Sequence, residues 1–248
     1  MSSKQTVDFG YTEVSDREKP RLVGSVFSSV ARRYDLMNDV MSGGLHRLWK
    51  DAMIDWVRPR AGERILDVAG GTGDIAFRMA RASGFGADIL VSDINEDMLS
   101  EGRRRAHHRR VPNLRWCLAD AEALPLPDRS LDAYTIAFGI RNVTHRERAL
   151  AEAHRVLRPG GRFVCMEFSR PAVPALDRLY DLYSFRLIPF LGRWVAGDAE
   201  SYRYLVESIR RFPDPDSFSG MIRAAGLSRV RVRCMTGGIV ALHAARRL

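Results

Sequence analysis

Cysteine is scarce in these 248 residues: Cys117, Cys165 and Cys234 stand far apart, in no Cys-x-x-Cys arrangement and with no histidine at ligand spacing. Such spacing disfavours a disulfide framework and a cysteine-held metal, and free thiols in a reducing compartment are expected. Long apolar runs are lacking too. No stretch approaches the ~18 apolar residues of a membrane span, and the start, MSSKQTVDFGYTEVSDREKP, has no apolar core like that of a secretory leader. A cytoplasmic protein is expected, with contact at the inner face of the membrane left open. No internal repeat or low-complexity segment is present, so an array architecture is not expected. Acidic residues fall short of basic ones, 30 against 39, for a formal net charge of +9. That balance favours anionic partners, nucleic acid or acidic lipid headgroups, without choosing between them.

The length suits one α/β domain with decorations. Residues 1–20 are polar and aperiodic and read as a flexible tail, leaving a single domain over 21–248. From 21 to 60 the period is helical: Val26, Phe27, Val30 and Ala31 recur at three and four, as do the apolar residues of LHRLWKDAMIDWV. A core over 61–170 then alternates RILDVAGG, ADILVSDI, NLRWCLAD, LDAYTIAFGI and RFVCMEF as strands with helical DIAFRMARA, EDMLSEGRRRAHHRR and RERALAEAHRVL. Such alternation predicts a mostly parallel, Rossmann-like sheet covered on both faces, with ligand sites beyond the strand carboxyl ends. Residues 171–212 interrupt it with a helical, aromatic-rich stretch that reads as a lid insertion. In 213–248 a helix is followed by RVRVRCM and GIVALHA, a closing antiparallel pair.

LDVAGGTGD, residues 66–74, follows a strand and opens a helix. Gly71, Gly73 and Ala76 satisfy G-x-G-x-x-[G/A], with Gly70 beside them, and Asp93 ends the next strand where an acid accepts ribose hydroxyls. An adenosine cofactor is therefore expected. Asp67 and Asp74 flank the loop, and a pyrophosphate would meet two carboxylates where it needs amide donors. S-adenosyl-L-methionine, with its ammonium and sulfonium, suits that charge better. Asp120 and Ala121, after the third strand, stand where an adenine would lie.

Two further stretches carry a resemblance. YDLMNDVMSGGLHRLWK (34–50) and RVLRPGGRFVCMEFS (155–169) resemble the two signature regions of the ubiquinone/menaquinone biosynthesis C-methyltransferase family, which covers demethylmenaquinone and polyprenyl-benzoquinol methyltransferases. DVAGGTGD, AFGIRNV, GDAESYRYLVESIRRFP and TGGIVALH match in order, from about Phe27 to His243. The resemblance implies the class I S-adenosylmethionine-dependent methyltransferase fold, with an N-terminal helical cap and an antiparallel closing strand. It also implies C-methylation of a polyprenylated quinol ring, 2-polyprenyl-6-methoxy-1,4-benzoquinol, demethylmenaquinol or both. Cofactor positions carry over onto Thr72, Asp93, Asp120 and Ala121. Many members have Asn where Asp120 stands, and some have serine where Ala137 stands.

The chemistry this resemblance implies is methyl displacement from a sulfonium onto an electron-rich quinol carbon, which requires no metal. Arg141, Asn142 and Tyr34 are the candidate catalytic residues. Arg141 would steady a developing phenolate or form a salt bridge. His145, in THRE, reads mainly as a helix start with Thr144 as cap. Tyr34 and Asp35 would order the methionine end, with Met37, Met41 and Trp49 as an apolar wall, or these residues would pack a helix on the sheet edge. His46 reads first as a satisfied helix histidine, with a role as base or quinol-oxygen contact left open. In 171–212, Leu179, Tyr183, Leu187, Phe190 and Trp194, with Arg178, Arg186 and Arg193, would meet a membrane surface or close the core. A nicotinamide-dependent reductase stays open on the glycine pattern, as does a non-catalytic lipid-binding component of a quinone-synthesis assembly. An RNA methyltransferase fits poorly, because 171–212 interleaves few charges for a phosphate backbone, and no nucleic-acid partner is expected. A homodimer is left open.

Overall fold

The computed structural model describes residues 6–30, 39, 42–169 and 199–248. Its centre is a seven-stranded sheet of β3 (Arg64–Val68), β4 (Asp88–Asp93), β5 (Leu114–Leu118), β6 (Leu131–Ala137), β7 (Leu157–Phe168), β8 (Ser228–Met235) and β9 (Val240–Arg246). In space the order is β5-β4-β3-β6-β7-β9-β8. The first five pair in parallel, while β9 runs antiparallel to both neighbours. The expected Rossmann-like architecture with a closing antiparallel strand is what forms.

Neighbouring residues on a strand point to opposite faces. Ile65, Ala133 and Val164 enter one core with α2 (His46–Val57), α3 (Asp74–Ala82) and α4 (Glu96–His108). Leu66, Tyr134 and Phe163 enter the other with α5 (Arg146–Val156) and α7 (Pro215–Ala224). Burial on both faces explains why these strands read as nearly continuous apolar runs.

Three local expectations change. Part of the expected tail pairs as a hairpin of β1 (Thr6–Phe9) and β2 (Thr12–Ser15), because it has a surface to rest on. Phe9 stacks on Tyr204 at 4.3 Å, and the Tyr11 amide donates to Glu207 at 3.0 Å, both on α6 (Ala199–Arg211). The RPGG turn is absorbed into β7, whose chain bends at Gly160 with φ +81°. Thr144 is not the cap of α5; His145 occupies that position and its amide donates to Glu122 at 2.8 Å.

The described part of the expected lid, α6, packs inward. Leu205 and Ile209 join the first core and Phe212 the second, so this amphipathic helix closes the domain. The remainder of that stretch, with all five apolar and three basic residues expected at a membrane, lies outside the described residues.

Candidate active site

A pocket opens at the carboxyl ends of β3, β4, β5 and β6 and is roofed by Pro20, Val23, Gly24 and Phe27 of α1 (Lys19–Val30). Gly70, Gly71 and Thr72 form its floor, and Asp67, Asp93, Asp120, Ala121 and Asn142 also line it. The loop and the acids predicted for the cofactor are thus brought together.

The loop's form follows from close approach. Gly71 has φ +53°, and a Cβ there would sit 2.8 Å from the Met98 methyl and 3.7 Å from Asp93 Oδ2. Only a bare backbone leaves that space to a ligand. Gly73, at φ +83°, starts α3 behind the pocket, where a Cβ would strike the Trp116 ring at 2.7 Å.

Asp93 holds the loop as well as facing the pocket. Its Oδ2 accepts from the Gly71 amide and its Oδ1 from the Asn95 amide, each at 2.9 Å. Burial pushes its carboxyl up to about 6, against the pull of those donors. Asp67 is fully buried; Oδ1 accepts from the Thr135 hydroxyl at 2.8 Å while Oδ2 has no partner among the described residues. Burial therefore pushes it up to about 7. For Asp74 burial acts the same way, but Lys50, 2.8 Å away, and Arg78 outweigh it and hold the carboxyl below its ordinary value.

Asp120 accepts from the Glu122 amide at 2.9 Å, so it forms a turn while lining the pocket. Buried Thr72 accepts from Arg105 at 3.4 Å. Asn142 lines the pocket and receives the Tyr204 hydroxyl on Oδ1 at 3.0 Å.

Of the two readings of Arg141, the salt bridge is formed. The residue does not line the pocket; its guanidinium is buried against Glu167 at 2.8 Å and also donates to the Phe138 carbonyl. The pair braces the turn that carries Asn142. Trp49 is a core residue, donating to Thr236 at 2.8 Å and meeting Phe168 edge-on. His46 is buried with Nε2 2.8 Å from Asp39, while Nδ1 has no partner among the described residues. Burial lowers its pKa despite Asp39. Tyr34, Asp35, Met37 and Met41 lie outside the described residues.

Sequence reasoning missed Lys50, Asn95, Tyr204 and Glu167. Lys50 was findable: His46, Trp49, Met53 and Val57 mark the buried stripe of α2, and Lys50 falls on it. Asn95, directly before Glu96-Asp97, carries a helix-cap signature and does cap α4. The other two act through partners distant in sequence, for which no local signal exists.

The pocket suits S-adenosylmethionine by its chemistry, since Asp67, Asp74, Asp93, Asp120 and Glu122 present five carboxylates to a cationic ligand. Strand order and site together define a class I methyltransferase fold. A S-adenosylmethionine-dependent methyltransferase from Aquifex aeolicus superposes with a TM-score of 0.58 over 80% of this chain and 89% of that one, at 17% identity. Phosphoethanolamine N-methyltransferase 2 from Haemonchus contortus, solved with S-adenosyl-L-methionine, gives 0.60 over 80% and 52%, at 14% identity. The model of the ubiE/COQ5 methyltransferase family matches residues 11–247, and the chain belongs to that family. Two relatives carry the name ubiquinone/menaquinone biosynthesis C-methyltransferase UbiE. That of Methylobacterium nodulans is 60% identical, and that of Rhodopseudomonas palustris strain HaA2 58%, each covering 98% of both chains. The protein is an enzyme of the methyltransferase class, and its cofactor is S-adenosylmethionine.

Proposed function

We propose that this enzyme methylates a ring carbon of a reduced, polyprenylated quinol, a benzoquinol or a demethylmenaquinol, in ubiquinone/menaquinone biosynthesis. The observation that carries the reading is end-to-end similarity, at 60% identity, to a relative named for that C-methylation. The cofactor supplies an electrophilic methyl group on a sulfonium. A hydroquinol ring carbon is nucleophilic once a phenol proton begins to leave, whereas a quinone is electrophilic and inert.

The chain's own residues position and exclude. Asp93 receives the ribose hydroxyls; each oxygen already accepts one amide, and an ionised carboxylate has lone pairs for more. Asp120 receives the adenine amino group, and the backbone at Ala121 faces the ring. Thr72, Gly70 and Gly71 form the floor, and Asp67 adds negative charge when ionised. Val23 and Phe27 above and Ile75 and Val68 beside the cavity keep water from the transfer. Asn142, held by Tyr204, offers an amide to the substrate's oxygen. Arg141 positions that asparagine through the Phe138 carbonyl. The carboxylate-rich lining disfavours the pyrophosphate of a nicotinamide dinucleotide.

The test is methyl transfer by pure protein to short-chain benzoquinol and naphthoquinol analogues, each oxidised and reduced, with products read by mass spectrometry. A new carbon-bound methyl on reduced rings alone is expected. Transfer only to oxygen, or none to either reduced ring, would overturn the reading.

A further inference from the structure

The lining is one-sided in charge. Among the described residues facing the pocket, Lys50 is the only lysine or arginine, set against five carboxylates. It is also almost wholly buried, with 3% of its surface exposed. Its ammonium is 2.8 Å from Asp74 Oδ2, and Asp74 has a second cation in Arg78 at 3.4 Å. Burying a lysine is costly unless it is paired, and a surface lysine would serve α2 better if packing were its only task.

Its position is telling. Asp93 ends β4 and Asp120 follows β5, both to one side of β3. Lys50 arrives from the other side, on α2, which packs against α3, β7 and β9. A nucleoside held by Asp93 and Asp120 must therefore run across the glycine loop toward Lys50 and Asp74. The end of the cofactor that lies there is an amino acid, with one carboxylate and one ammonium. Among the described residues of the lining, Lys50 is the cation that such a carboxylate would meet in a field of acids.

We infer that Lys50 receives the carboxylate of the cofactor's amino-acid end, and that the Lys50–Asp74 pair is a preformed complement to that zwitterion. Asp74 turns to the ligand ammonium and keeps Arg78 as its protein partner. The inference deepens the proposed site and rests on the nucleoside lying as assigned above.

The test uses ligand pairs and titration calorimetry on the full chain. S-adenosylhomocysteine carries the amino-acid end; 5′-methylthioadenosine has the same nucleoside without it. Lys50→Met should weaken S-adenosylhomocysteine by about 30-fold, the loss of one charge-assisted contact, and leave methylthioadenosine within about twofold. Lys50→Arg should restore most of the affinity. A second measurement needs no variant: wild type should prefer S-adenosylhomocysteine to its decarboxylated analogue, S-adenosyl-3-thiopropylamine, by about tenfold or more. Equal loss of both nucleosides in Lys50→Met, loss of neither, or no wild-type preference against the decarboxylated analogue would overturn the role of Lys50 alone. If Asp93→Ala left methylthioadenosine affinity intact, the nucleoside placement beneath the inference would fall instead.

Discussion

Two aspartates in one pocket titrate far from their ordinary value for the same reason. Burial raises Asp67 to about 7 and Asp93 to about 6 from 3.8. A raised acid pKa means that the folded protein holds a proton the unfolded chain has released. Their contribution to stability is therefore full below pH ~4 and is lost as pH rises through about 6 and about 7. Asp67→Asn, which imitates the protonated form, should flatten the decline seen by urea unfolding between pH ~4 and ~7; an unchanged slope would show that Asp67 does not titrate there. Glu101 acts oppositely and below that window: its bonds to Arg104 and Arg105 lower it to about 2, so its contribution is lost on acidification. The Arg141–Glu167 pair is of another kind, a buried charge pair in which removal of one partner strands the other. Arg141→Ala should cost about 3–5 kcal/mol in unfolding free energy, and Arg141→Met with Glu167→Met considerably less. If the single change leaves stability intact yet slows catalysis, Arg141 works on the substrate directly.

At the scale of elements, one asparagine ties the roof of the pocket to α4. Asn95 caps α4 by accepting from the Met98 amide at 3.1 Å, and its amide group donates to Gly24 at 2.9 Å and Ser28 at 3.0 Å on α1. A single side chain thus starts one helix and ties down another. Asn95→Ala should lose both functions, whereas Asn95→Ser keeps an oxygen for the cap and loses the link. The alanine variant should be less stable than the serine variant by about 1 kcal/mol. Both should speed hydrogen exchange along α1 and weaken S-adenosylhomocysteine; normal exchange in both would show α1 to be held by packing alone. On the far wall α6 serves similarly, joining the hairpin through Phe9 and the site through the Tyr204–Asn142 bond.

For the whole molecule, the proposed substrate carries a polyprenyl tail and is therefore to be met at a bilayer. Among the described residues no helix is long and apolar enough to cross a membrane, and the formal net charge is +9. Attraction to acidic headgroups should be electrostatic and screened within about 8–10 Å at ordinary salt. The protein is expected to sediment with anionic vesicles at low salt, to release at high salt and to ignore neutral vesicles. Phe190→Ser with Trp194→Ser, outside the described residues, tests the segment singled out from sequence. Binding that neither salt nor lipid charge alters would remove the electrostatic account.

Periodicity and spacing by themselves determined the alternation of strands and helices, the glycine loop with Asp93 at the next strand end, and the antiparallel closure by GIVALHA, because each depends on residues close along the chain or on a compact motif. The order and register of the strands did not follow, because runs apolar on both faces carry no alternation to set them. Nor did charge pairing. The partner of Arg141 is Glu167, 26 positions on, and Trp49 bonds Thr236 across 187 positions. Residues 6–15 pass for a tail until α6 supplies a surface for them. Only the tertiary structure decided these, since a charge or hydroxyl takes whichever partner the packed elements bring within about 3 Å in a place water has left. That exclusion of water also sets Asp67 and Asp93 apart from aspartates on the surface, and no spacing along the chain records it.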